Sequence, residues 1–141
     1  MPAKITVKMP DIKIVDPTKQ FWGRLGEDAA TTVQKRTLSG TDVNRKMFPR
    51  YSPSYAKIRS KAGRSTRPNL AFSTRMLNSV SRGVRATKQG FKIILSGAEG
   101  FKAWANEKTG RDFFGLSKGQ KDKILNQVTL FYTRVNKLKK R

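Results

Sequence analysis

The sequence predicts an α+β domain: a small antiparallel sheet packed against an N-terminal and a C-terminal helix, with a long basic loop. Three observations predict it. Phe21, Leu25, Ala29 and Val33 recur every four residues, and Ile124, Leu125, Val128, Phe131, Val135 and Leu138 recur at spacings of three, four and seven. Between these helices, two short apolar runs flank a Lys88-Gln89-Gly90 turn, the pattern of a hairpin. Residues 40–68 hold many Gly, Pro, Ser and Arg residues and no long periodicity. With 141 residues, the chain is read as a single domain, 1–141, with one core.

Residues 1–17 are expected to be an N-terminal arm or edge strand, because Ile5-Thr6-Val7-Lys8-Met9 alternates apolar and polar. Thr18 is a candidate N-cap for the first helix, which should stop near Gly40 and is weakened by Gly23 and Gly26. Within the long loop, Ser52-Pro53 can cap and begin a short helix with Tyr55 and Ile58 on its buried side. Arg59 to Arg67 reads as a mobile basic loop. Thr74 is a candidate cap for a second short helix carrying Met76, Leu77 and Val80. Val80, Arg82, Val84 and Ala86 form the first hairpin run, and Phe91 to Leu95 the second. Phe101, Trp104 and Ala105 fit a short amphipathic helix, and Arg111 to Gly115 a further strand or extended arm. Ser117 and Gln120 match a capping box at the head of the closing helix. Residues 130–141 are a basic C-terminal extension.

The chain carries 31 basic and 9 acidic residues, a net charge of +22, with the excess spread over roughly the last hundred residues rather than held in one tail. Such a surface attracts polyanions, so the partner is expected to be negative, either protein or nucleic acid. The hydrophobic fraction, 36%, is low for a globular domain, so long polar arms or loops are expected beside a small core. There are no cysteines and no histidines, which removes disulfides, thiolate metal sites and the commonest general base. The only adjacent acids, Glu27 and Asp28, point about 100° apart on a helix and do not form a carboxylate pair. Gly23 and Gly26 lack the Lys-Ser/Thr that a phosphate loop needs. Catalysis, cofactors and metals are therefore not expected. No secretory signal and no apolar run of membrane-spanning length is read.

Five short elements occur in a fixed order. They are Gly40-Thr41-Asp42; Tyr51-Ser52-Pro53-Ser54-Tyr55-Ala56; Leu70; Thr74-Arg75-Met76-Leu77-Asn78-Ser79; and Arg111 through Ser117. Over roughly residues 35–125 this series resembles the virion-morphogenesis and tail-completion proteins of tailed bacteriophages. Two positions depart from that pattern. Thr74 or Ser73 stands where the family usually has Gly, and Ala105-Asn106-Glu107 where it often has His. The resemblance implies a structural, non-enzymatic virion protein, assembled in the host cytoplasm. It would form a homo-oligomeric ring that completes the tail or joins it to the DNA-filled head. The implied partners are the connector or adaptor, the tail terminator or the tail tube, with genome DNA in the lumen and no membrane.

Two groups of candidate residues follow. Phe48, Tyr51, Tyr55, Arg111, Phe113 and Phe114 either anchor a neighbouring subunit or tuck the loop and a strand end onto the domain's own core. Arg111 with Phe113 and Phe114 reads either as a cation near an aromatic face or, the favoured reading, as a strand end with one Phe buried. Arg59, Lys61, Arg64, Arg67, Lys137, Lys139, Lys140 and Arg141 are candidates for contact with acidic partners or with DNA phosphates in a lumen. No zinc-finger, helix-turn-helix or RNP-type signature points to base readout. The alternative function is sequence-independent nucleic-acid binding by a basic protein, with a nuclease as a remote third class.

Overall fold

Helix α1 (Lys19–Leu38) is the element on which the rest is built. A computed structural model describes residues 15–70 and 74–139. The expected strand at Ile5–Met9, and Lys140 and Arg141 of the basic end, lie outside those residues. Thr18 caps α1 by accepting the Phe21 N–H at 3.2 Å. The predicted stripe turns inward: Leu25, Ala29 and Val33 are buried, joined by Gly26, Ala30 and Thr37. The helix ends at Ser39, and Gly40 follows at φ +83°, a left-handed conformation that glycine adopts without strain.

Four further helices and a two-stranded sheet complete the α+β fold: α2 (Pro53–Lys61), α3 (Arg75–Arg82), β1 (Val84–Ala86), β2 (Phe91–Ile93), α4 (Gly97–Lys108) and α5 (Lys118–Lys139). The strands are antiparallel, pairing Val84 with Ile93 and Ala86 with Phe91. The hairpin is shorter than the alternation predicts, because α3 runs on through Arg82. Met76, Leu77 and Val80 face the core at helical spacing, and that burial outweighs the strand-like pattern.

The sheet lies on α1, and Gly26 makes the approach possible. A Cβ there would come within 2.6 Å of Val84 Cγ1. Gly83 joins α3 to β1, where any side chain would overlap the Ile94 carbonyl. Gln34 fastens α3 to α1 by donating to Leu77 O at 2.6 Å and Ser81 Oγ at 2.9 Å. The core cluster is Ala30, Val33, Phe48, Leu70, Met76, Leu77, Val80, Ala103 and Phe113, so loops at 48, 70 and 113 supply three of its nine residues.

At α5 the capping box forms as predicted. Gln120 Oε1 accepts the Ser117 N–H at 2.8 Å, and Ser117 Oγ accepts the Gln120 N–H at 3.3 Å. The helix meets α1 where Phe21 and Phe131 lie 4.8 Å apart, and Tyr132 Oη donates to Asp16 Oδ1 at 3.1 Å. Ile124, Val128, Phe131 and Val135 are only half-buried there, and Leu125 and Leu130 are exposed.

Two helices present faces the sequence did not predict. In α2 the capping by Ser52 is as expected, but Ile58 faces solvent, Tyr55 lies partly open against Tyr51 and Arg59 is the buried residue. In α4 the large aromatics Phe101 and Trp104 face outward, while Ala103 is buried. Arg111–Gly115, read as a further strand or an extended arm, is irregular chain and forms no strand.

Candidate functional site

Tyr51 is the centre of an open groove of about 550 Å³ formed where α2, the end of α4 and the chain before α3 meet. Local rules place its walls. Ser52 caps α2 one residue after Tyr51, which directs Tyr55 and Arg59 back toward the ring. Tyr55 packs edge-on to Tyr51 at 4.9 Å and 81°. Gly110, at φ +85°, turns the chain out of α4 so that Arg111 reaches the same ring.

Two guanidinium groups flank the phenol. Arg59 Cζ lies 4.8 Å and Arg111 Cζ 4.9 Å from the Tyr51 ring centroid. Each contact is worth about 0.5–2 kcal/mol, rising as the site is desolvated. Tyr51 Oη accepts the Leu70 N–H at 3.1 Å, which holds the ring in place.

The arginines are held by neutral acceptors. Arg59 Nε donates to Ser65 O at 2.6 Å and Nη2 to Asn69 Oδ1 at 2.9 Å. Arg111 Nη1 donates to Thr109 Oγ1 at 2.8 Å and Nη2 to Arg50 O at 3.4 Å. Arg111 Nε is buried with no acceptor among the described residues. Lys102 on α4 also lines the groove and pairs with Glu99 at 3.1 Å, the one salt bridge among the described residues. Among the described residues no acidic side chain lines the groove, and a carboxylate or phosphate is the group that Arg59, Arg111 and Lys102 in its lining suit.

A similar groove between α1 and α5, about 560 Å³, holds Asp28 together with Arg45 and Lys123 and gathers none of the predicted site residues.

The structure brings Tyr51, Tyr55, Arg59 and Arg111 together from both predicted groups. It does not gather the others there. Phe48 and Phe113 are core residues at 5% and 0% exposure, so they tuck the loop and the post-α4 segment inward instead of anchoring a neighbour. Phe114 packs against that core. Arg111 covers Tyr51, and of the two phenylalanines Phe113 is the buried one, as the favoured reading expects. Arg59, at 1% exposure, is a structural arginine of the groove wall and not part of an exposed basic loop. Lys61, Arg64 and Arg67 are exposed, and Lys137 and Lys139 fall within α5.

Sequence reasoning missed Lys102 and Asn106, whose i, i+4 spacing in α4 was the available signal. It also missed Arg36, which lies one helical turn after Val33 on the buried stripe of α1. Its Nη2 donates to Phe113 O at 2.6 Å and Gly115 O at 2.8 Å.

The turn elements pack beside the groove. Asp42 Oδ1 accepts the Asn44 and Lys46 N–H groups, both at 2.8 Å, and Val43 N–H donates to Asp112 O at 3.0 Å. No helix among the described residues is long and apolar enough to cross a membrane. Compared with protein-family models, with curated proteins and with solved structures, the chain has no match.

Proposed function

We propose that this chain is a structural virion protein of a tailed phage, a tail-completion or neck subunit that works by docking rather than by chemistry. It forms a ring and joins the tail to the DNA-filled head. One observation carries the reading: four of the five ordered elements that resemble the tail-completion family contribute residues to one groove. The residue after the remaining element, Val43, bonds to Asp112 beside it. Arg111 lies over Tyr51, Tyr51 holds Leu70, and Thr74 and Met76 line the same groove.

In this reading the groove takes an acidic segment of a neighbouring neck or tail protein. Charge complementarity with the +22 chain speeds and orients that encounter. The exposed Lys61, Arg64 and Arg67 add to the field, and DNA in the lumen is a secondary contact.

The test is to mix the purified chain with tailless heads and free tails and to count joined particles. Joining that depends on the chain, and that Arg111→Glu abolishes while the melting profile is retained, is the expected result. The charge alone favours the second reading, sequence-independent nucleic-acid binding. Tight, salt-sensitive retardation of duplex DNA, with no effect of the chain on joining, would establish that reading instead.

A further inference from the structure

The β1–β2 hairpin has an open edge. Ile94 N–H donates to Gly83 O at 2.9 Å and Thr87 N–H to Gly90 O at 2.8 Å, so in this register Arg85 and Lys92 are the pair bonded between the strands. The backbone groups of Val84, Ala86, Phe91 and Ile93 therefore point away from the partner strand. On the β1 side, Arg85 Nη1 donates to Val84 O at 3.0 Å. On the β2 side, the N–H and C=O groups of Phe91 and Ile93 have no hydrogen-bond partner among the described residues. The side chains of Phe91 and Ile93 are only half-buried. A row of unpaired backbone groups beside apolar side chains is a template for one more strand.

Chain path and sequence pattern select what fills it. The chain enters α1 beside the hairpin turn: Trp22 Nε1 donates to Lys88 O at 3.2 Å, and a Cβ on Gly23 would meet Ala86 Cβ at 3.8 Å. Residues 10–14 can span about 17 Å, more than the roughly 10 Å between packed layers. Residues 5–9, which lie outside the described residues, read Ile5-Thr6-Val7-Lys8-Met9. Their alternation matches both strands, in which Val84, Ala86, Phe91 and Ile93 are half-buried and Arg85 and Lys92 exposed. Pro10 cannot continue a ladder and marks where the segment would leave it. A second copy's β2 is the poorer occupant, because full antiparallel pairing of the two edges sets Lys92 opposite Lys92.

We infer that residues 5–9 of the same chain add to the outer edge of β2 as a third strand. The segment must leave toward the hairpin turn to reach α1, so it runs antiparallel to β2. Lys8 opposite Lys92 is a like-charge pair. The register that avoids it, and keeps Pro10 outside the ladder, sets Ile5 opposite Ile93, Thr6 opposite Lys92 and Val7 opposite Phe91. Ile5 and Val7 then cover the half-buried side chains, Thr6 joins the polar face, and the Ile5 and Val7 N–H groups meet the carbonyls of Ile93 and Phe91. Of the two readings of residues 1–17, arm and edge strand, this selects the edge strand. It goes beyond the virion proposal and does not depend on it.

The chain has no cysteine, so introduced pairs report without interference. Thr6 and Lys92 form a non-hydrogen-bonded pair, with Cα atoms about 4.5 Å apart and within disulfide range. Thr6→Cys with Lys92→Cys, oxidised in dilute full chain, is expected to close an intrachain disulfide at least about tenfold faster than Lys8→Cys with Lys92→Cys, which sits diagonally at about 7–8 Å. Hydrogen exchange of the cysteine-free chain gives a second readout. The Phe91 and Ile93 amides are expected to be protected. Val7→Pro, which removes the donor to Phe91 O, should speed their exchange at least about tenfold, while Lys92, bonded to Arg85, changes less. Wild-type Phe91 and Ile93 amides that exchange as fast as free chain overturn the inference. So does equal closure of both cysteine pairs, or closure of neither. A disulfide between two chains overturns the same-chain assignment and gives the edge to a second copy.

Discussion

Arg36 Nη1 donates to Gln120 Oε1 at 2.8 Å, and the same oxygen accepts the Ser117 N–H at 2.8 Å. One side-chain oxygen thus closes the capping box of α5 and fastens that helix to α1. Arg36 also satisfies two carbonyls of the segment that enters α5. Burial lowers its pKa, against the opposing pull of Asp112 and then Asp42. Because α5 buries little apolar surface of its own, these polar bonds decide its position.

Arg36→Ala leaves the Phe113 and Gly115 carbonyls without their donor. It is expected to lower unfolding free energy by about 3 kcal/mol, the order of magnitude for stranding two part-buried acceptors. Gln120→Ala is expected to cost about 1–2 kcal/mol, and Gln120→Glu, which keeps both bonds and pairs with Arg36, close to nothing. Urea unfolding measures all three. A cost below about 1 kcal/mol for Arg36→Ala would show that α5 is held by its apolar contacts instead.

Gly26→Ala separates local from tertiary control. Helix propensity alone predicts a gain of roughly 1 kcal/mol. The added methyl meets Val84 Cγ1 at 2.6 Å and the Phe91 ring at 3.2 Å, so the sheet must move off α1. The expected net effect is a loss of about 1–3 kcal/mol in thermal or chemical unfolding. A stabilised variant would mean that the sheet does not sit this close to α1.

Tyr51 has two roles that substitutions can divide. Tyr51→Phe keeps the ring between Arg59 and Arg111 and removes the acceptor for the Leu70 N–H, which costs about 1 kcal/mol of stability and leaves partner docking intact. Tyr51→Ala removes the ring that spaces the two guanidinium groups and should abolish docking as well. If Tyr51→Ala loses stability while assembly proceeds normally, the groove is a structural feature and not an interface.

The elements legible in the sequence were those fixed by neighbours along the chain. Thr18, Ser52-Pro53 and Ser117 with Gln120 act within one turn, so their caps were read correctly, whereas Thr74, read as a cap by the same rule, makes no side-chain cap bond to α3. The faces of α2 and α4 were not legible, because distant partners choose them. Arg59 is buried since Tyr51, Ser65 and Asn69 supply its partners, none of them on α2. Phe101 and Trp104 dominate the apolar pattern of α4, yet Gly100 must face Leu95, and a steric limit outranks periodicity. Of the groove, Tyr51, Tyr55, Arg59 and Arg111 were picked out individually. That Arg111 would reach Tyr51 depends on where the turn at Gly110 sends the chain, which no local pattern fixes.

Thr74 precedes α3 at φ +61°, left-handed backbone that a β-branched residue adopts at a cost. Glycine there avoids about 1–2 kcal/mol of strain and loses somewhat less through greater freedom of the unfolded chain. Thr74→Gly is therefore expected to raise the melting temperature slightly, and Thr74→Val to lower it. Equal melting for all three would show that the turn relaxes out of the left-handed region in solution.

Glu107 is held above its ordinary carboxyl pKa, first by partial burial and then by the charge of Asp112. A raised folded-state value means the fold favours the protonated acid. Its contribution to stability is therefore present below the unfolded carboxyl pKa, about 4.3, and is lost as pH rises through the raised value. Glu107→Gln is neutral at every pH, so it should melt higher than the wild type at pH 7, with the difference vanishing as the buffer is taken to acid. Melting curves of both proteins across that range, at concentrations where each is monomeric, decide the point. A variant that melts lower at pH 7 would mean that the carboxylate has a favourable cationic neighbour in the folded chain.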